Sequence, residues 1–190
     1  MRTARPNLAL VGFMATGKST VGHRLAKRLT LRFLDLDARI ERRAGKPIAR
    51  IFAEDGEPAF RALERAAAAE LRRPAGLVIA TGGGIVLNPD NLRHLAQGGL
   101  VVCLTARATT VLRRTAGDTT RPLLQHANPL ARIRALLRQR RPLYAAIPHR
   151  VATDALTPAA VCERIAKLYE RHGQSNLSPR RTRSSRRTER

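Results

Sequence analysis

Apolar residues in this chain gather in two kinds of run. Short, almost unbroken stretches at residues 8–11, 32–34, 77–80, 100–104 and 150–152 read as strands. Between them lie longer segments of helical periodicity, which predict helices over 18–29, 38–43, 48–54, 57–72, 89–97, 108–115, 129–145 and 158–171. Several of these begin at or just after a proline, whose fixed φ and missing N–H suit the first helical turn. Strands alternating with helices predict an α/β domain around a mostly parallel sheet.

The pattern stops near residue 173. Residues 174–190 are rich in Ser, Arg and Thr, with Leu177 the single apolar residue. They have little to bury, so 174–190 is expected to be a disordered basic tail. The 190 residues, 43% hydrophobic, suffice for one core, and 1–173 is read as one domain. No internal repeat is visible. No apolar run approaches the roughly 20 residues of a membrane span, and the N-terminus enters the first strand without a hydrophobic signal region. A cytoplasmic protein is therefore expected. Cys103 and Cys162 lack metal-ligand spacing and read as small apolar packing residues, so neither zinc nor a disulfide is expected.

Charge complicates this picture. The chain has 36 Lys+Arg against 14 Asp+Glu, a formal net charge of +22. Six Arg and one Glu of that total lie in the last 17 residues, so residues 1–173 still carry +17. A polyanionic partner such as nucleic acid fits that sign, but only 3% of residues are aromatic, which leaves few platforms for stacking bases. Attraction of small anionic substrates accounts for the same charge.

Candidate chemistry begins after the first strand. Gly12, Phe13, Met14, Ala15, Thr16, Gly17, Lys18 and Ser19 satisfy G-x-x-x-x-G-K-[ST] between a predicted strand and a predicted helix. Such a loop turns successive backbone N–H groups toward phosphate oxygens, and the helix adds its positive dipole end. Lys18 would reach the β- and γ-phosphates and Ser19 would ligate Mg²⁺. Ala15 occupies a variable position, and matters only if its φ is positive. The cradle alone permits an ATPase, a GTPase, a nucleotide kinase or a small-molecule kinase. The N-K-x-D pattern of guanine readers is absent from the sequence.

Asp35 and Asp37 follow, two apart at the end of the second strand, where open α/β sheets bind ligands. In extended chain both carboxylates would share one side, one organising Mg²⁺ through water and the other taking a proton from a hydroxyl. An N-cap for the next helix is the alternative for Asp37. Gly82, Gly83 and Gly84, after the third strand, either bring backbone against a ligand or form a flexible turn. Arg121 sits in "AGDTTRPLL", which reads as a mobile flap carrying one positive charge.

Taken in order, "GFMATGKSTVG", "FLDLD", "IFAEDGEPAFRALE", "TGGGIVL", "RPLL" and "RRPLY" resemble the shikimate kinase family over residues 7–171. The resemblance implies a three-layer P-loop kinase fold of the nucleoside-monophosphate-kinase type. Five parallel strands would be flanked by helices, with substrate-binding helices over about 37–64 and a mobile lid over about 114–128. It implies transfer of the γ-phosphoryl of ATP to the 3-hydroxyl of shikimate, with Mg²⁺, in aromatic amino-acid biosynthesis. Asp37 would bind the substrate hydroxyls and act as base, with Lys18 and Arg121 completing the catalytic set. Asp35 would hold the Mg²⁺ shell beside Ser19. Ala15, Thr16, Gly17, Lys18, Ser19 and Thr20 would cradle ATP, with Arg114 and Leu156 toward the adenine and Arg121 on the phosphates. Arg61, Arg140 and Gly82–Gly84 would bind shikimate, the two arginines pairing with its carboxylate and Glu64 holding Arg61. Phe52 and Phe60 match aromatic positions of that pocket. Arg140 rather than Arg141 is assigned, because the pattern places Arg two residues before proline. A monomer with no specific nucleic-acid partner is expected. A kinase for another small polyol acid, such as gluconate, and a nucleotide-regulated nucleic-acid binder are the alternatives.

Overall fold

In the computed structural model, which describes residues 5–116 and 128–177, five parallel strands form one sheet. They are β1 (Asn7–Gly12), β2 (Arg32–Asp35), β3 (Leu77–Ala80), β4 (Gly99–Thr105) and β5 (His149–Ala152), in the order β2-β3-β1-β4-β5. Register is continuous across the centre, with Leu8 opposite both Val78 and Leu100, and Leu10 opposite Ala80 and Val102.

Eight α-helices are described: α1 (Lys18–Leu29), α2 (Leu36–Ala44), α3 (Ile48–Glu54), α4 (Gly56–Glu70), α5 (Pro89–Gly98), α6 (Ala108–Thr115), α7 (Pro129–Ala145) and α8 (Pro158–Leu177). Strand alternation sends Ala9, Val11, Ile79 and Cys103 to one face of the sheet, where they pack with residues of α2 to α7. It sends Leu8, Leu10, Val78 and Val102 to the other, against α1 and α8. Burying each valine, leucine or isoleucine among these is worth roughly 1.5–3 kcal/mol. Cys103 and Cys162 are both free and buried, and they pack in these two separate clusters.

Most elements fall where the periodicity puts them; the differences lie at ends and in an unexpected 3₁₀ turn at Ile85–Leu87. Helix α2 starts at Leu36, because Asp35 caps it: the Asp35 side chain accepts from the Ala38 N–H. Helix α8 continues to Leu177. Among the described residues, no helix is long and apolar enough to cross a membrane.

One buried polar residue ties the sheet to the helix layer. Asn7 donates to the Leu71 and Arg73 carbonyls and accepts from the Ala75 and Leu77 N–H groups. All its amide capacity is used, and that fixes how β3 enters beside β1. The carboxyl ends of β1, β2 and β3 therefore open together, where the loops carrying the candidate chemistry leave the sheet.

Candidate active site

The phosphate loop bridges β1 and α1. Gly17 is left-handed, with φ 94°, and caps α1 without a side chain. Ala15 is also left-handed, at φ 56°. A Cβ in that region costs roughly 1–2 kcal/mol, so the alanine is held there against its own preference. The Thr16 hydroxyl donates to the Phe13 carbonyl and faces the protein, leaving its backbone to face a ligand. Lys18 folds back over the loop and donates to the carbonyls of Gly12 (2.9 Å) and Phe13 (2.8 Å).

A cavity of about 240 Å³ opens above the loop. Ala15, Gly17, Lys18, Ser19, Thr20, Asp35, Asp37, Gly82 and Gly83 line it, as do Met14 and Thr81, which carried no assignment from sequence. Ser19 Oγ donates to Asp35 Oδ2 at 3.3 Å, placing two oxygen ligands side by side.

Asp37 lies in the first turn of α2, so the two aspartates do not share an extended strand. They converge because Asp35 turns the chain into the helix, and Asp35, not Asp37, is the N-cap. Burial above all, then the neighbouring Asp35 and Glu64 charges, pushes the Asp37 carboxyl up from 3.8 to about 6, against the pull of Lys18. Its Oδ1 is buried with no hydrogen-bond partner. Gly82 makes this placement possible, since a Cβ there would lie 2.7 Å from that oxygen.

The arginines lie beyond Gly84. Arg61 Nη1 donates to Glu64 Oε2 at 2.9 Å, and Nε and Nη2 donate to Glu57. A Cβ on Gly84 would come within 2.5 Å of Arg61 Nη1, so the guanidinium lies flat against the glycine backbone. Glu64 is buried, and that burial raises its carboxyl above the ordinary value although Arg61 and Arg140 oppose the shift. Phe60 is buried beneath Arg61 and packs on the more exposed Phe52, with ring centroids 4.8 Å apart.

Arg140 points inward from α7 while Arg141 is exposed, which separates the two adjacent arginines. Arg140 Nη1 donates to the Gly83 carbonyl at 3.1 Å, and its guanidinium lies over the Phe13 ring. Its Nε is buried without a partner. Tyr144, one turn further along α7, donates to the same carbonyl at 3.1 Å. It went unassigned from sequence, although the i, i+4 spacing from Arg140 marks a shared helix face.

On the nucleotide side, Arg114 donates to the Ala15 carbonyl, to Thr153 Oγ1 and to the Thr153 carbonyl. It links the phosphate loop to the segment after β5. Leu156 is half-buried against the α1/α8 cluster. Arg121 and most of the expected lid, 117–127, lie outside the described residues, as does 178–190 of the expected tail.

Comparison with known proteins bears on this arrangement as a whole. A family model described as shikimate kinase matches residues 14–170. The chain is 42% identical over 165 residues to a shikimate kinase of Thermoanaerobacter pseudethanolicus, covering 87% of this chain and 96% of the relative. To the shikimate kinase of Desulforudis audaxviator it is 51% identical over 138 residues, 73% of this chain and 72% of the relative. The solved shikimate kinase of Acinetobacter baumannii in complex with shikimate superposes with a TM-score of 0.78 at 39% identity, covering 92% and 96% of the two chains.

Proposed function

The chain belongs to the shikimate kinase family and catalyses ATP-dependent phosphorylation of shikimate; within that reaction we propose that the 3-hydroxyl is the acceptor and that Asp37 takes its proton. The observation that carries this reading is the Asp37 carboxyl. It sits in one cavity with Lys18, Ser19 and the Gly82–Gly83 backbone, and burial has raised its basicity. A carboxylate titrating near 6 is ionised at neutral pH yet a better proton acceptor than an ordinary aspartate.

The acceptor oxygen forms a bond to the γ-phosphorus while the bond from that phosphorus to the β–γ bridging oxygen breaks. The hydroxyl proton passes to Asp37, and ADP leaves. Lys18 supplies positive charge to the transferring group, exchanging its carbonyl contacts for phosphate oxygens. The backbone of 15–20 cradles the remaining phosphates, and Arg121 adds a second positive charge. Arg61 and Arg140 pair with the substrate carboxylate, for which a planar guanidinium fork is suited. Phe52 and Phe60 border that pocket. Arg114, Leu156 and the segment 153–158 form the adenine side.

Ser19 and Asp35 fit Mg²⁺, an ion that keeps several waters and takes few protein oxygens. Ser19 would ligate it directly and Asp35 through water. When bound, the ion neutralises charge on the phosphates. The substrate pair consists of small anions, and we place the enzyme in the cytoplasm as a monomer without a specific nucleic-acid partner.

A coupled assay of ADP release with shikimate, repeated with a panel of small polyol acids including gluconate, tests the reading. Turnover should be confined to shikimate and should vanish in Asp37→Asn and Lys18→Ala. Normal turnover in either variant overturns the assigned roles.

A further inference from the structure

Two donors converge on one carbonyl in this molecule. Arg140 Nη1 and the Tyr144 hydroxyl each donate to the oxygen of Gly83 at 3.1 Å. Both side chains are largely buried, and both come from the same face of α7. A single carbonyl has room for two donors, yet the two are not equivalent in what else they can do. Arg140 holds a fixed charge and an Nε with no partner, so its hydrogen-bonding capacity is only partly used. Tyr144 has one proton to give.

Gly83 occupies a pivotal place. Its neighbours on either side lie against the acceptor groups, Gly82 against Asp37 and Gly84 against Arg61. Gly83 itself packs on the phosphate loop, where a Cβ would lie 3.3 Å from the Met14 nitrogen. A shift of the Gly83 peptide therefore alters the surroundings of Asp37 and Arg61 together.

We propose that Tyr144 is a positioning residue for the acceptor site: its hydroxyl keeps hold of the Gly83 carbonyl when the neighbouring Arg140 guanidinium turns to the substrate carboxylate. A carboxylate draws a guanidinium into charge-assisted pairing, and turning to meet it takes Nη1 away from the neutral Gly83 carbonyl. Were Arg140 the sole donor, binding the acid would strip that carbonyl, and the glycine run would have to move as substrate arrives. With Tyr144 in place, the run keeps its position in both states. Burial pushes the phenol up to about 12, so the hydroxyl keeps its proton at neutral pH.

The inference rests on the assignment of Arg140 to the substrate carboxylate, and its test keeps the two separable. Tyr144→Phe retains the ring and its packing and removes only the hydroxyl. The expected result is a KM for shikimate raised about ten-fold, as for a lost buried hydrogen bond. The KM for ATP should stay within two-fold and kcat should change less than the shikimate KM. Shikimate binding measured by calorimetry without nucleotide should weaken by the same factor. In an Arg140→Ala background the same substitution should cost less than in the native enzyme, because no guanidinium then needs releasing. A shikimate KM unchanged by Tyr144→Phe, a KM for ATP that rises in parallel, or strict additivity with Arg140→Ala overturns the proposal. If Arg140→Ala alone leaves the shikimate KM unchanged, the carboxylate assignment has failed instead. Should Tyr144→Phe fold poorly by circular dichroism, Tyr144→His, which restores an N–H donor on a ring, must recover shikimate affinity more than it recovers stability, or the proposal falls.

Discussion

The two halves of the site are built in opposite ways. The phosphate side is one contiguous segment: β1 ends at Gly12, five residues turn, and α1 begins at Lys18. Its groups are mostly backbone, and its form follows from glycines at fixed spacing. The acceptor side has no such segment. Asp37 comes from α2, Arg61 and Glu64 from α4, Gly82–Gly84 from the exit of β3, and Arg140 and Tyr144 from α7. Side chains do the work there: Arg61 is held by Glu57 and Glu64 of its own helix, and Arg140 and Tyr144 reach across to the Gly83 carbonyl. A local loop tolerates change in its surroundings, whereas an assembled pocket depends on every element that contributes to it.

The sharpest way to break this contrast is to remove one key group from each half. Lys18→Ala and Asp37→Asn should both lower kcat about 10³-fold or more, in the upper range for a charge or proton-transfer group in a transition state. Isothermal titration separates them: Asp37→Asn should still bind ATP normally. Loss of ATP affinity in Asp37→Asn would mean that the halves are not independent.

Next in size are the arginines. Arg61→Ala and Arg140→Ala should each raise the KM for shikimate on the order of 10- to 100-fold, the loss of a charge-assisted pair, with little change in the KM for ATP. Steady-state kinetics with each substrate varied in turn checks this.

The acidity of Asp37 gives a smaller effect with a definite sign. A base titrating near 6 should give kcat/KM for shikimate an acid limb centred there, absent in Asp37→Asn. Stability runs the other way from activity. Because the folded carboxyl binds its proton more tightly than an unfolded one, stability falls as pH rises from about 4 to 6, and above 6 the buried charge is a constant penalty. Asp37→Asn should therefore raise the melting temperature at pH 8, by an amount that shrinks as pH falls through 6 toward 4. A constant difference across that range would contradict it.

Two small effects complete the comparison. Ala15→Gly relieves a left-handed alanine, worth roughly 1 kcal/mol, but gives back about half to the entropy of the unfolded chain. A rise of one or two degrees in melting temperature is expected, about what such a difference makes in a domain of this size. Ending the chain after Leu177 should leave kcat and both KM values unchanged, since the phosphate and acceptor groups all lie upstream.

Much of this was readable in order along the chain. The periodicity of 18–29 and the prolines at 89, 129 and 158 mark helices that begin where expected, because those signals are local. The Arg61–Glu64 contact follows from their three-residue spacing on one helix, and the closeness of Asp35 to Ser19 from the family resemblance. What escaped was decided by neighbours distant in sequence. Asp35 turned out to be the cap of α2, so Asp37 reaches the cavity from a helix. Tyr144 gained its role from a carbonyl 61 residues away. The grip of Arg114 on Ala15 spans 99 residues, and no pattern of residue types announces it.

By itself the sequence determined the order of strands and helices, the phosphate loop and the identity of the charged groups, since apolar spacing and glycine placement act over a few residues. Only the tertiary structure decided that Ala15 is held left-handed, that Tyr144 shares the Gly83 carbonyl with Arg140, and that Asp37 loses enough water to become a stronger base. Those outcomes depend on desolvation and close packing among segments that meet only when the sheet closes its core.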